Sequence, residues 1–470
     1  MHEFKASQRY GSAAAPTVGE VLTTTSGTRP DSPTKLAYQW QRCNSSGGSC
    51  TNIPGQTSST YTITSVDVAD TLRSTVTASS TAGSVIDYSV VTGVVTASAA
   101  TPVAQFHVLN DRDSTTVAEA AKYQIVQLQY SPTVKKLVDA IHAHDPGVKV
   151  LMYSDPTVAG TGGSTDGWTT CTTSAEDAAG GNVWRLYDGS SQISGKMNIG
   201  NATYDSTCVN TAMALAKSAD FDGIFWDEFN AVPGYAIPQT CINAYQASSC
   251  SIFNGGSETA WQNNTYELIQ AIGAADHTNR MMSILNIGGT YNQPAVWKQW
   301  NGPVSGAMEE SFVGSITGGS VPYSQWQGEI ANAQWSAANG KYEMAVHYDP
   351  KQNQESLDTY GLASMLLNAG GMASYSSTVP TPNAPPYDWW PEYTTAQNLG
   401  APSGAYTTVT SGGATVYERR FANGIVVVNP TGSSSVSVSL GGTYSGTGNE
   451  PTGITSLTLP GQTGYVLTAS

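Results

Sequence analysis

Between residues 104 and 375 short apolar runs alternate with stretches of helical character, and that alternation admits few folds. The runs are Ala104–Leu109, Ile125–Leu128, Val148–Tyr153, Gly223–Asp227, Met282–Asn286, Gly306–Glu310, Met344–Tyr348 and Met372–Tyr375. Helical segments such as Thr133–Ala143, Val209–Ser218, Glu258–Ala274, Tyr323–Ala338 and Glu355–Ala369 lie between them. Strand–helix alternation produces parallel sheets. Eight such units over roughly 300 residues match the scale of a (β/α)8 TIM barrel.

Two runs share one design. Phe221-Asp222-Gly223-Ile224-Phe225-Trp226-Asp227-Glu228-Phe229-Asn230 is a buried strand that stops at two carboxylates, and Ser305-Gly306-Ala307-Met308-Glu309-Glu310-Ser311-Phe312 repeats the pattern. Laying Gly223 on Gly306 sets Asp227 opposite Glu310. Barrel chemistry sits at the C-terminal tips of strands, and two carboxyls in different environments are the minimum for glycoside hydrolysis. Asp227 is expected as nucleophile and Glu310 as general acid/base. Successive strand residues face opposite sides, so only one carboxylate of each pair points into the barrel mouth. Glu309 is the main alternate for the acid. Glu228 is the alternate for the nucleophile, expected instead to pair with a basic group or orient its loop.

Other polar groups fall at expected strand tips: Asn110 and Asp111, Tyr153 and Asp155, Asn286, His347 and Tyr348, and Tyr375. A ring of hydrogen-bonding groups suits sugar hydroxyls, although any one of them serves equally well as a structural cap. Trp226 completes the expected sugar contacts together with Trp389 and Trp390, the last two as stacking surfaces with packing between barrel and β-domain as the alternative.

The flanks are all-β in pattern. From about residue 15 to 100, Thr/Val/Ser strands such as Lys35–Cys43 and Leu72–Ala78 alternate with Gly/Ser turns, the pattern of a small β-sandwich with Trp40 in its core. Residues 404–470 repeat that texture after a barrel of 101–403, and a C-terminal β-sandwich is expected. Residues 1–14 have no apolar run and read as a leader remnant or cloning-derived start.

Charged residues are only 12 % of the 470, and the net charge of −15 disfavours nucleic acid and anionic membranes. No run of about 18 apolar residues occurs, so no membrane span is expected. Six cysteines with no CxxC or Cys/His cluster read as disulfides of an oxidising compartment, paired Cys43–Cys50, Cys171–Cys208 and Cys241–Cys250. The six histidines show no HExxH spacing, so neither a metal nor any other cofactor is expected.

Two resemblances stand beside this reading. The Trp40 strand, Tyr61 and the Asp67–Asp70 turn resemble bacterial immunoglobulin-like modules. The motifs Phe221–Asp227 and Gly306–Phe312, with Tyr417-Glu418-Arg419-Arg420-Phe421 near the C-terminus, resemble the glycosyl-hydrolase-like family numbered fifteen. That family is similar to the α-galactosidase and α-glucosidase superfamily, with its nucleophilic Asp at the end of strand four and its acid at the end of strand six. The resemblance implies the same roles for Asp227 and Glu310, although relatives usually carry Asp as the acid. The expectation is a secreted, monomeric glycoside hydrolase retaining configuration at α-linkages of a neutral oligo- or polysaccharide. A transglycosylase and a non-catalytic carbohydrate-binding protein are the alternatives.

Overall fold

The structure is a computed structural model. It describes the chain apart from residues 1–15, 17–20, 26–32, 54, 64–66, 68–69, 81–82, 96–102, 105, 108–116, 121–122, 159–170, 189–190, 233–257, 316–318, 349–354, 369–372, 379–390, 412–413, 433 and 449. Two compact units divide the chain, residues 1–100 and residues 101–470, with 370–372 grouped in the first.

In the second unit eight parallel strands form one sheet. After a first strand in two pieces, Val103–Ala104 and Phe106–His107, come Ile125–Leu128, Lys149–Ser154, Gly223–Asn230, Met282–Gly288, Gly306–Glu310, Tyr342–Tyr348 and Ala373–Thr378. One piece of the first strand pairs with the eighth, Val103 beside Ser374, and the other with the second, Phe106 beside Val126. The sheet thus comes round on itself as a TIM-barrel-like core. Ile125, Leu151, Tyr153, Phe225, Ile284, Met308, Met344 and Val346 fill its interior. Their sequence neighbours Val126, Met152, Ile224, Trp226, Leu285, Ala307 and Ala345 pack outward with the helices, as the two-residue period of a strand requires.

The outer layer includes helices Ala202–Ser218, Glu258–Asn279, Tyr323–Ala338 and Glu355–Leu366. The first starts seven residues before the expected Val209, because the Asn201 side chain accepts from the backbone N–H of Thr203 and Tyr204 at 3.2 and 3.1 Å. That cap carries a first turn holding Thr203, Tyr204 and Asp205, residues that propensity alone does not favour. Asp220, in the left-handed region at φ 58°, then turns the chain into the fourth strand. Gly223 and Gly306 open the fourth and sixth strands for a steric reason. A Cβ on either would fall 2.0 Å from the Met282 carbonyl oxygen or 2.4 Å from that of Tyr342.

At the C-terminus a single six-stranded antiparallel sheet stands where a two-sheet sandwich is expected. On one face Tyr417, Phe421, Val426, Val428 and Val466 join the core of the barrel helices. On the other, Val416, Ile425, Val427, Val438, Leu440, Leu459 and Leu467 form a separate core. One sheet supplies both walls of that second core, so it curls over itself. The Tyr323 and Tyr417 hydroxyls, 2.8 Å apart, and an Arg419 Nη1 bond of 2.9 Å to the Leu366 carbonyl fasten it to the barrel helices.

The first unit holds a four-stranded antiparallel sheet centred on Lys35–Cys43 and Thr71–Ser80, with Val21–Thr23 paired to Thr60–Thr62 beside it. Trp40 is fully buried and stacks on Tyr61, as expected of a core residue. The buried Asp67 accepts from Arg42 Nε and from the Tyr61 hydroxyl at 2.8 and 2.7 Å. Disulfides join Cys43 to Cys50, closing a hairpin, and Cys171 to Cys208. Cys241 and Cys250 lie outside the described residues, among which no helix is long and apolar enough to cross a membrane.

Candidate active site

The tips of the fourth, fifth and sixth strands are neighbours through parallel pairing, and the site is built from what they carry. Phe225 and Asp227 share the inward face of the fourth strand, as Ile284 and Asn286 do in the fifth and Met308 and Glu310 in the sixth. At Asp227 the regular register fails. Trp226 pairs with Leu285 and Phe229 with Ile287, so Asp227 and Glu228 together stand opposite Asn286 alone. This is a β-bulge, and Glu228 takes its left-handed turn at φ 66°. The residue after Glu310 does the same, with Ser311 at φ 64°. A non-glycine residue in that region costs on the order of 1–3 kcal/mol. Both carboxylates are therefore followed by a strained residue that breaks the pleat and ends the strand's alternation.

Five hydrogen bonds hold the two carboxylates. The amide nitrogen of Asn286 donates to Asp227 Oδ1 at 2.7 Å and to Glu310 Oε2 at 2.9 Å. The Glu228 backbone N–H donates to the same Oδ1 at 2.8 Å. Tyr153 donates to Asp227 Oδ2, and Tyr348 to Glu310 Oε1. Each carboxylate thus receives one phenol and one hydrogen of a shared amide. The two amide bonds limit the separation of Oδ1 and Oε2 to their combined length, near the roughly 5–5.5 Å spacing of retaining glycosidases and short of the 6.5–9.5 Å of inverting ones.

Burial, then the charge of Asp227, raises the Tyr153 hydroxyl far above the usual phenol range and keeps it a donor. Asp155, buried just beyond Tyr153, is pushed up to about 7 by burial first and by Asp227 second. The backbone N–H and hydroxyl of Thr157 oppose that rise, donating to Asp155 Oδ1 at 2.8 and 2.7 Å. Asp155 is expected as a sugar contact but is 1 % exposed and closed off by Thr157. The Asp155-Pro156-Thr157 turn was the available signal for this.

The alternates go elsewhere. Glu309 faces outward, 6 % exposed, against the helix Tyr323–Ala338, where Asn332 Nδ2 approaches its Oε1 at 3.5 Å. Burial, with Glu329 and Glu343 beside it, raises its carboxyl well above the ordinary range. Glu228 accepts from the Asn230 amide at 3.1 Å and thus meets no expected basic group through that bond.

Three expected sugar contacts are corrected by the same outward geometry. Trp226 is wholly buried behind the barrel wall, its indole N–H donating to Ser283 Oγ at 2.9 Å. His347 is also wholly buried, with Nδ1 3.1 Å from the Phe312 carbonyl oxygen. Tyr375 is buried too, and its hydroxyl donates to the Asp358 carbonyl at 2.9 Å. Each sits one residue out of step with the inward face. Asn110, Asp111, Trp389 and Trp390 lie outside the described residues. Among the described residues no group of three or more His, Cys, Asp or Glu is arranged to hold a metal ion.

A barrel with paired carboxylates at the tips of alternate strands belongs to a recognisable class, and the chain is a glycoside hydrolase. Residues 142–425, more than half of its length, match the family model described as hypothetical glycosyl hydrolase family 15, and the chain belongs to that family. No curated protein matches the sequence. Among solved structures, the glycoside hydrolase domain of PelA from Pseudomonas aeruginosa is similar at 13 % identity, with 61 % of this chain and 97 % of that one covered and a TM-score of 0.41. A β-L-arabinopyranosidase from Geobacillus stearothermophilus is similar at 11 % identity, 79 % and 97 % coverage and a TM-score of 0.41. A pullulanase from an Anoxybacillus species is similar at 10 % identity, 92 % and 83 % coverage and a TM-score of 0.46.

Proposed function

We propose that the protein is a secreted, retaining glycosidase acting on α-linkages of a neutral oligo- or polysaccharide, with Asp227 as nucleophile and Glu310 as general acid/base. The observation that carries this reading is the bridging of Asp227 and Glu310 by one amide nitrogen, at 2.7 and 2.9 Å. A pair held that close leaves little room for the water an inverting enzyme activates between its carboxyls. Asp227 Oδ1 already accepts two hydrogen bonds, from Asn286 and Glu228. Oδ2 accepts that of Tyr153 and is the freer oxygen for attack.

In the first step Asp227 Oδ2 bonds to the anomeric carbon as the glycosidic bond breaks, and the departing oxygen takes the proton of Glu310. In the second, Glu310 removes a proton from water, whose oxygen displaces Asp227 and releases the sugar. Glu310 is exposed, as an acid that must reach the leaving oxygen has to be. The net charge of −15 and the acidic mouth favour a neutral glycan over a polyanion. The superfamily resemblance supplies the α preference. The two disulfides support an oxidising, extracellular compartment, and residues 15–100, 101–403 and 404–470 are proposed as an immunoglobulin-like module, catalytic barrel and C-terminal β-domain.

The test is turnover of 4-nitrophenyl α-glycosides and neutral α-glucans and galactans by the unchanged protein, Asp227→Asn and Glu310→Gln. Glu310→Gln is expected to lose about 10²–10⁴-fold in kcat, and Asp227→Asn at least as much, both with sugar binding kept. Full activity in Asp227→Asn overturns the assignment.

A further inference from the structure

We propose that Asn286 is the positioning residue of this reaction, a clamp whose one amide nitrogen holds nucleophile and acid/base at a working separation; this rests on the roles given to Asp227 and Glu310 above. An amide nitrogen has two hydrogens. Here one points at each carboxylate, at 2.7 Å to Asp227 Oδ1 and 2.9 Å to Glu310 Oε2. Both neighbours are acceptors, so the nitrogen rather than the oxygen of the side chain must face them.

A second observation is independent of those bonds. Asn286 Oδ1 is buried and has no hydrogen-bond partner among the described residues. Burying an acceptor unpaired is unfavourable. An asparagine kept only for packing has no reason to hold both amide hydrogens toward two carboxylates while leaving its carbonyl unanswered. The backbone supports the arrangement, since the bulge sets Asp227 and Glu228 together across from Asn286. The fifth strand, lying between the two that carry the carboxylates, is the one place from which a short side chain touches both.

The clamp acts in two ways. It fixes the distance over which attack and protonation must be concerted, a matter of positioning in which small displacements are expensive. It also ties the orientation of each carboxyl group to the other through one planar amide, so that neither turns away from the bond they act on. A mere sugar contact at this position would do neither.

Two measurements decide it. In kinetics, Asn286→Ala is expected to lose about 10²-fold in kcat with KM nearly unchanged. Asn286→Asp, which keeps the shape but loses both donors and adds charge, is expected to lose at least as much and to recover as pH falls and its own carboxyl takes up a proton. A loss wholly in KM, or an Asn286→Asp enzyme with the unaltered pH profile, overturns the clamp. The second measurement needs no substrate. Thermal melts at pH 7 of Asn286→Ala, Asp227→Asn and the double variant form a cycle. Asn286→Ala is expected to lower Tm less when Asp227→Asn has already weakened one of the two bonds, and strict additivity overturns the clamp. The outcomes separate the two claims. Absence of turnover by the unchanged protein counts against the hydrolase roles while the melts still decide the clamp, and turnover lost in Asp227→Asn but kept in Asn286→Ala sinks the clamp alone.

Discussion

At the scale of single residues, side-chain direction separates the site from the wall around it. Asp227, Asn286, Glu310 and Tyr348 share the inward face, while Trp226, Glu309, His347 and Tyr375 lie one step out of phase. Trp226 shows what that step means. Its indole is wholly buried, and its N–H donates to Ser283, whose hydroxyl donates on to Asp276 at 2.7 Å. Trp226→Phe therefore removes a buried bond and part of a large core side chain. A loss of about 1–3 kcal/mol is expected, read as a Tm lower by roughly 1–2 °C per kcal/mol in a unit of this size. KM for the same glycoside should not move. A raised KM at unchanged Tm would return Trp226 to the sugar-binding surface. Much of this was legible in the sequence, because matching Gly223 to Gly306 picks out the inward carboxylate of each pair by parity. What parity did not disclose is that Tyr153, Asn286 and Tyr348 serve the carboxylates directly.

At the scale of elements, the same parity puts unusual chemistry behind the site. Strand six turns Glu309, and strand seven Glu343, toward the helix Tyr323–Ala338, which brings Glu329. Burial pushes Glu343 up to about 8, against the pull of the Ser336 hydroxyl. Glu329 goes up to about 7, although Val313 N–H and Gln325 bond it at 2.6 and 2.8 Å. A carboxyl whose folded pKa lies above its unfolded 4.5 binds more protons folded than unfolded. Its contribution is complete below 4.5 and is lost as pH rises through about 8. Tm is thus expected to fall between pH 5 and pH 8, and Glu343→Gln to flatten the fall by holding the neutral form throughout. An equal slope in that variant would show that Glu343 titrates normally. Nothing in the strand patterns announced these buried acids, since the face one step out of phase lies under the helices and ordinarily carries apolar residues. The bulge at Asp227 and Glu228 was equally hidden, because the residue that turns is a glutamate and not the glycine that usually marks such a place.

At the scale of the whole molecule, the barrel strands were readable because each is a compact apolar run between helices. The ends were less so: the fourth strand runs on to Asn230 through its bulge, and the seventh starts at Tyr342. The C-terminal region was read as β but its architecture was not. Gly424–Asn429 is buried along its entire length, which in sequence looks the same whether a second sheet or the curl of the same sheet covers it. That sheet closes over the barrel helices at Tyr417 and Arg419. The barrel then acts as one device, with strands four and six each delivering a carboxylate and strand five holding the two together. The most direct test of this account is ¹H NMR of the first sugar released from a cleaved glycoside, before mutarotation mixes the anomers. The account predicts the anomeric configuration of the bond that was cut; the opposite anomer would contradict it.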